Sequence, residues 1–219
     1  MYEYVMKKLF LLCWFVSCVA LCTAQKTFSS VPVPDSVFAR MKDVSFPVRE
    51  AEKKGLHRGD LRYLRVLYYD FEGEEQQGEL VCNRAIADDV LDIFKKLHEA
   101  HYPIASVRLI DDFGGDDERS MAANNTSCFC FRTVEGSKKL SKHAKGMAID
   151  INPLQNPCVR HKGGKTVVQP LEGKPYVDRS RRFAHKIDKR DLAYRLFTQH
   201  GFTWGGAWRS VNDYQHFEK

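Results

Sequence analysis

The stretch SKHAKGMAID, residues 141–150, decides the fold and the chemistry expected of this chain. It places His143 and Asp150 seven positions apart, separated mainly by small residues. If His143 lies in a loop and Asp150 on the following strand, Gly146 and Ala148 let the backbone fold back so that both side chains reach one ion. A histidine nitrogen and a carboxylate oxygen each bind zinc at about 2 Å. Two ligands do not hold a catalytic zinc ion, so a third is required.

The C-terminal stretch WGGAWRSVNDYQHFE, residues 204–218, supplies candidates for the third ligand. Asp213 and His216 are three positions apart, so both can approach a metal from one extended segment, one as a ligand and the other as a proton shuttle. Three protein ligands leave one zinc position for water, whose pKa the ion lowers toward 7. A nearby carboxylate then accepts the proton and passes it to a leaving amine.

Together, S-x-H-x-x-G-x-A-x-D at residues 141–150 and D-x-x-H-F at residues 213–217 resemble a known family. This is the zinc D-Ala-D-Ala carboxypeptidase and L-Ala-D-Glu endopeptidase family, the VanY/VanX-type cell-wall peptidases. The resemblance covers about residues 83–218 and implies the Hedgehog/DD-peptidase fold. It also implies peptidoglycan stem peptides as the substrate.

The resemblance further implies roles for individual side chains. His143, Asp150 and His216 become the ligands of one zinc ion, and Asp213 becomes the catalytic base. The VanX- and VanY-like carboxypeptidases usually have Glu at the position of Asp213, whereas phage and sporulation endopeptidases of the family often have Asp. This difference favours endopeptidase activity without fixing the scissile bond.

Three further residues are candidates for contact with substrate. Arg132 lies in a region that resembles the family segment carrying a substrate-contacting Arg, and a guanidinium grips a carboxylate with two hydrogen bonds. A structural ion pair with a nearby aspartate is the alternative. Ser141 is interpreted as an orienting group rather than a nucleophile, because no base lies beside it in a triad-like arrangement. Trp208, like Trp204, fits either a substrate groove or the core.

A second function of a different class stays open, namely a non-catalytic zinc-containing cell-wall binding module. Hedgehog signalling domains show that this fold can keep its metal and serve in recognition. A catalytic carboxylate discriminates between the two functions, and Asp213 favours the enzyme. A dipeptidase acting on free D-Ala-D-Ala would require a closed pocket, which a sequence does not reveal.

The N-terminal residues have the layout of a signal peptide. Lys7 and Lys8 precede an apolar run at residues 9–21, which ends in the small-residue stretch 22–24. The run is shorter than the roughly 20 residues of a membrane span, so no integral membrane span is expected. We predict residues 1–24 as a signal peptide, residues 25–219 as a single zinc peptidase domain, and a periplasmic or extracellular location.

Charge and cysteine content narrow the expected partners. Without residues 1–24 the chain keeps 32 basic and 27 acidic residues, an excess too small and too dispersed for nucleic-acid binding but compatible with an anionic cell wall. The chain is expected to act as a monomer.

In an oxidising compartment two disulfides could form in any of three pairings, and the cysteines concerned are Cys82, Cys128, Cys130 and Cys158.

The order of apolar and polar segments predicts an α+β domain with a central antiparallel sheet, flanking helices and a zinc site. We expect a helical turn near residues 35–42 and a β-hairpin formed by residues 61–71 and 79–82. A helix should follow at residues 83–101 with Asn83 as its N-cap. Strands are expected at 104–110, 127–133 and 147–151, a loop at 152–186, a helix at 188–200 and a strand-like segment at 203–218.

Overall fold

The computed structural model describes residues 26–134 and 136–219, so the segment expected to be a signal peptide lies outside the described residues. The strands are β1 (Ser29–Pro32), β2 (Leu61–Tyr69), β3 (Glu75–Asn83), β4 (Ala148–Asp150), β5 (Cys158–Lys162), β6 (Lys165–Gln169), β7 (Thr203–Trp204), β8 (Asn212–Asp213) and β9 (His216–Glu218). The α-helices are α1 (Asp35–Met41), α2 (Val48–Lys53), α3 (Ala87–Glu99), α4 (Asp117–Ala122) and α5 (Leu192–Gln199).

The strands form three antiparallel sheets of three strands each, in the orders β1-β2-β3, β4-β9-β7 and β6-β5-β8. The α+β class expected from the sequence is confirmed. The single central sheet is replaced by three small sheets, because most strands after β3 are five residues or shorter. Assignment to the Hedgehog/DD-peptidase fold remains a prediction.

The predicted hairpin and the helix after it are both present. Strand β3 begins earlier than expected, at Glu75, and runs to Asn83. Asn83 does not cap α3: its side-chain oxygen accepts a hydrogen bond from the Ala85 amide at 3.0 Å, and Ile86 holds the cap position. The turn between strand and helix therefore uses the residues that the pattern assigned to the first turn of the helix.

Two segments expected to be strands, residues 104–110 and 127–133, form isolated bridges instead. Their backbone groups pair singly with different neighbours; the Thr126 amide, for example, donates to the Ser106 carbonyl at 2.8 Å. Residues Ile110–Phe113 form a 3₁₀ helix. Apolar content correctly indicated burial here, but burial alone does not produce a ladder of hydrogen bonds.

The predicted loop at residues 152–186 contains a β-hairpin instead. Strands β5 and β6 pair from Cys158↔Gln169 to Lys162↔Lys165, which leaves Gly163 and Gly164 as a two-residue turn. Both glycines have positive φ, 58° and 74°. Two-residue hairpin turns commonly require positive φ and favour Gly-Gly, so the sequence carried a signal for this hairpin that was missed.

The main hydrophobic core joins the hairpin β2–β3 to α3, α5, β4 and β9. Phe94, Phe197 and Phe217 are fully buried in it, and the rings of Phe197 and Phe217 stack with centroids 4.4 Å apart. A smaller cluster around Phe46 includes Tyr63 from the hairpin. The hairpin thus contributes side chains to both clusters, and β9 is anchored through Phe217.

The four cysteines outside the predicted signal peptide are buried, and each is a free thiol. In the described part of the chain, no helix is both long enough and apolar enough to cross a membrane.

Candidate active site

Two candidate metal ligands are placed by the pairing of β4 with β9. The antiparallel register sets Ile149 opposite Phe217 and Asp150 opposite His216. Because successive side chains of a strand point to opposite faces, the apolar pair enters the core and the polar pair is presented together on the other face. The same register therefore builds part of the core and brings a carboxylate beside an imidazole.

The third candidate, His143, enters from a 3₁₀ helix, His143–Lys145, that ends at Gly146. Gly146 has φ of 65°, and a Cβ atom there would lie 2.6 Å from the Asn83 amide nitrogen. That amide donates to the Gly146 carbonyl at 2.8 Å. Glycine is required for both the left-handed conformation and the close approach, and the resulting turn directs His143 toward β4.

The three side chains, called the ligand triangle, contact one another at similar distances through the two histidine nitrogens and both oxygens of Asp150. Asp150 Oδ1 lies 3.0 Å from His216 Nδ1, Asp150 Oδ2 lies 3.2 Å from His143 Nε2, and the two nitrogens are 3.1 Å apart. Ligands bound at about 2 Å in a tetrahedral zinc site lie roughly 3.3 Å from one another. All three residues are buried, and together they could hold a metal ion.

Both histidines have a partner on the ring nitrogen that faces away from this triangle. His143 Nδ1 lies 2.6 Å from the Cys128 carbonyl oxygen, and His216 Nε2 lies 3.1 Å from Glu218 Oε2. A donor N–H on the outer nitrogen leaves the lone pair of the inner nitrogen available for a metal. Glu218 was missed from the sequence, although its position two residues after His216 on a strand places it on the same face.

Without a metal, the buried groups stabilise one another's charged forms. Burial alone would raise the pKa of Asp150, but the charge of His143 and hydrogen bonds from both histidines hold it far below its usual range. Burial would lower the pKa of His216, whereas hydrogen bonds to Asp150 and Glu218 raise it to about 10. His216 therefore carries a proton at neutral pH, and a metal ion would replace that charge.

Asp213, the expected base, lies on β8 opposite Cys158 of β5. Burial, with a further contribution from the negative charge of Asp150, raises the pKa of its carboxyl group. Its Oδ1 atom is buried and has no hydrogen-bond partner. A carboxylate with a raised pKa beside a group of metal ligands is suited to accept and return a proton.

Arg132 forms the ion pair that was weighed as its alternative role. Its Nε lies 2.8 Å from Asp117 Oδ2. The residue nevertheless lines both cavities beside the metal ligands. Asp117 thus pairs with the guanidinium group by charge, although Arg132 Nε makes no hydrogen bond of good geometry, and contact with substrate remains a prediction.

Ser141 and the two tryptophans have distinct surroundings. The Ser141 hydroxyl accepts a hydrogen bond from the His143 amide at 3.2 Å, an orienting contact. The Trp208 ring lies 5.2 Å from the His216 ring and lines a cavity with both histidines. Trp204 is 8% exposed, and its Nε1 donates to the Tyr214 carbonyl. Trp204 is thus a core residue, whereas Trp208 faces the site.

Two cavities adjoin the ligand triangle and differ in charge. The first, of about 320 Å³, is called the acidic cavity and includes Asp116, Asp117, Glu118, Gln169 and Gln215 in its lining. The second, of about 220 Å³, is called the basic cavity and includes Lys139, Lys142, Lys145, Trp208 and both histidine ligands. Arg132, Arg160 and Asp213 line both cavities. Arg160 and Gln215 were not predicted, because no local pattern marks them.

Comparison with known proteins agrees with this geometry. The model of the family described as D-alanyl-D-alanine carboxypeptidase matches residues 135–219. That segment contains the three candidate ligands and Asp213, whereas Arg132 precedes it. No curated protein and no solved structure matches the chain.

Proposed function

The family match over residues 135–219 confirms the resemblance to the D-alanyl-D-alanine carboxypeptidases, and on that premise we propose a zinc peptidase that hydrolyses peptide bonds in peptidoglycan stem peptides. The observation that carries this proposal is the buried triangle of His143, Asp150 and His216, with its 3.0–3.2 Å edges. Two neutral nitrogens and one carboxylate oxygen form a donor set that zinc accepts.

The roles of the side chains follow from their positions. When bound, zinc supplies positive charge that activates a water molecule and polarises the scissile carbonyl group. Asp213 accepts a proton from the attacking water and delivers it to the leaving amine. Arg132, which forms an ion pair with Asp117, binds a carboxylate or carbonyl oxygen of the peptide. Trp208 provides an apolar wall beside His216.

The presence of two cavities that share Asp213 in their linings bears on the scissile bond. A peptide lying across Asp213 would occupy the acidic cavity with one part and the basic cavity with the other. Such a passage suits an endopeptidase, in line with Asp rather than Glu at position 213. Release of a terminal D-Ala is the alternative reaction, and the product distinguishes the two.

The function is tested by incubating the purified protein, residues 25–219, with peptidoglycan in the presence and absence of a zinc chelator. Released fragments are identified by mass spectrometry. Free D-Ala identifies a carboxypeptidase, and larger stem-peptide fragments identify an endopeptidase. If no chelator-sensitive product appears with any wall chemistry, the proposal fails and the non-catalytic zinc-containing binding module takes its place.

We also propose that the protein is exported and acts as a single monomeric domain. Export is inferred from the layout of residues 1–24, and the single domain from the length of residues 25–219. A reporter enzyme that is active only outside the cytoplasm, fused to residues 1–24, tests export. Sedimentation of residues 25–219 tests the monomer.

A further inference from the structure

The acidic cavity has more acidic than basic groups in its lining, and one negative charge remains in excess when a divalent metal is counted. Five carboxylates line it, against two guanidinium groups; the carboxylates are Asp116, Asp117, Glu118, Asp150 and Asp213. Arg132 pairs with Asp117, and Arg160 and a divalent metal would offset further carboxylates. The start of α4 presents the exposed carboxylates of Glu118 and Asp116 to this lining, and Asp116 Oδ1 also caps the helix by accepting a hydrogen bond from the Arg119 amide.

These acidic groups are close enough to repel one another. Burial raises the pKa of Glu118, and the negative charges of Asp117, Glu172 and Asp116 raise it further. A bound cation would relieve this repulsion. The basic cavity, which contains three lysines, would repel a cation. A peptide with a positive charge at one position and a negative charge at another therefore has a preferred direction across the site.

A separate observation points to a ligand with an N–H donor. Gln215 is 2% exposed and lines the acidic cavity. Its amide nitrogen donates to Met121 Sδ at 3.4 Å, whereas its Oε1 atom has no hydrogen-bond partner. Buried polar atoms are normally hydrogen-bonded, so this oxygen is an acceptor for a group entering the cavity.

We propose that the acidic cavity is a subsite for a primary ammonium group of the peptide substrate, with Gln215 Oε1, Glu118 and Asp116 as its acceptors. The enzyme would then prefer stem peptides whose diamino acid carries a free side-chain amine over peptides in which that amine is acylated. An ammonium group supplies three donors and one positive charge, which match a neutral acceptor accompanied by carboxylates. This inference rests on the proposed function and specifies its substrate.

The test compares two synthetic stem pentapeptides, one with a free lysine side chain and one with the same lysine Nε-acetylated. With the zinc-loaded protein, we expect kcat/KM for the free-amine peptide to be higher by about two- to fivefold, the range of an ion pair with exposed carboxylates. In the double variant Asp116→Asn/Glu118→Gln, the ratio should fall close to one. Glu99→Gln, an exposed substitution at the end of α3, makes the same type of change elsewhere and should preserve the ratio.

Gln215→Met removes the acceptor while keeping the length of the side chain. It should lower the ratio without loss of zinc, which is checked by metal analysis because His216 is adjacent. Equal cleavage of both peptides by the unmodified protein overturns the subsite but leaves the proposed function standing. If neither peptide is cleaved, calorimetric binding of the two peptides to the zinc-loaded protein decides the subsite: equal affinities overturn it, whereas the proposed function is decided separately by the digestion of peptidoglycan.

Discussion

Glu218 Oε2 lies 3.1 Å from His216 Nε2, two residues earlier on β9. The hydrogen bond also lowers the pKa of Glu218, so the carboxylate stays ionised beside the imidazole. A carboxylate on the outer nitrogen orients a ligand ring and strengthens it as a donor to metal. The candidate metal site therefore includes a group beyond its three candidate ligands.

Replacement of Glu218 by Gln should weaken zinc binding by about 10- to 100-fold, as expected when a partner of a ligand histidine is lost. The affinity is measured by competition with a chromophoric chelator. Glu52→Gln, an exposed position on α2, is the control and should leave the affinity unchanged. If Glu218→Gln binds zinc as tightly as the unmodified protein, the orienting role is wrong.

Asp213→Asn should keep zinc and lose turnover by about 10²- to 10⁴-fold, the usual contribution of a general base. His216→Ala, by contrast, should lose both zinc and activity, because it removes a ligand. Zinc content and the rate of peptide cleavage are measured on the same preparations. Full activity of Asp213→Asn would refute its assignment as the base.

Zinc binding at pH 7 should release about one proton from the protein, because His216, with a pKa of about 10, must give up its proton to bind a metal. Calorimetry in buffers with different ionisation enthalpies measures this number from the slope of the observed enthalpy. Glu52→Gln, an exposed substitution on α2, is the control and should release the same number of protons as the unmodified protein. An enthalpy independent of the buffer would show that the metal-free site is already deprotonated.

Thermal stability should respond to pH differently with and without metal. The pKa of His216 is raised from 6.5 to about 10 on folding without metal. The stability contributed by the protonated imidazole is therefore fully present below pH 6.5 and is lost as the pH rises through 10. Zinc requires the deprotonated form, so the increase in Tm caused by zinc should be larger at pH 9 than at pH 6. Scanning fluorimetry with and without a chelator measures it, and an equal increase at both pH values would contradict this linkage.

Gly146→Ala should destabilise the protein by more than the 1–2 kcal/mol or so of a left-handed alanine, because its Cβ would also meet the Asn83 amide at 2.6 Å. Gly73→Ala provides a matched control: Gly73 has φ of 85°, and nothing lies within 4 Å of the added atom. Denaturant unfolding of both variants gives the difference. Equal losses would show that the close approach at Gly146 has no cost.

The grouping of His143, Asp150 and His216, which could hold a metal ion, follows from the sequence because the residue types and their short spacings are local properties. His143 and Asp150 fall on one turn and the strand that follows it, and His216 falls on the strand that pairs with Asp150. Gln215 and Arg160 could not be predicted in the same way. They reach the site through the cavity lining, which depends on how distant segments meet.

The errors in the predicted fold have a common physical origin. At residues 104–110 the apolar pattern was interpreted as a strand, yet the backbone bonds to several segments in turn, and Asn125 accepts hydrogen bonds from Ser106 and Arg108. Side-chain amides replace the strand partner there. At β5–β6 a segment predicted to be a loop forms a hairpin. Its charged residues do not give the apolar pattern of a strand, but its Gly-Gly turn indicates a hairpin.

The register of β9 against β4 also bears on how faithfully the chain folds. A slip of one residue would turn Phe217 outward and bury the imidazole of His216 among apolar side chains, since every side chain of the strand changes face. Only the correctly aligned strand offers a complete set of ligands. A metal ion held by these residues would therefore bind selectively to molecules that have folded in register and would stabilise them relative to the misaligned population.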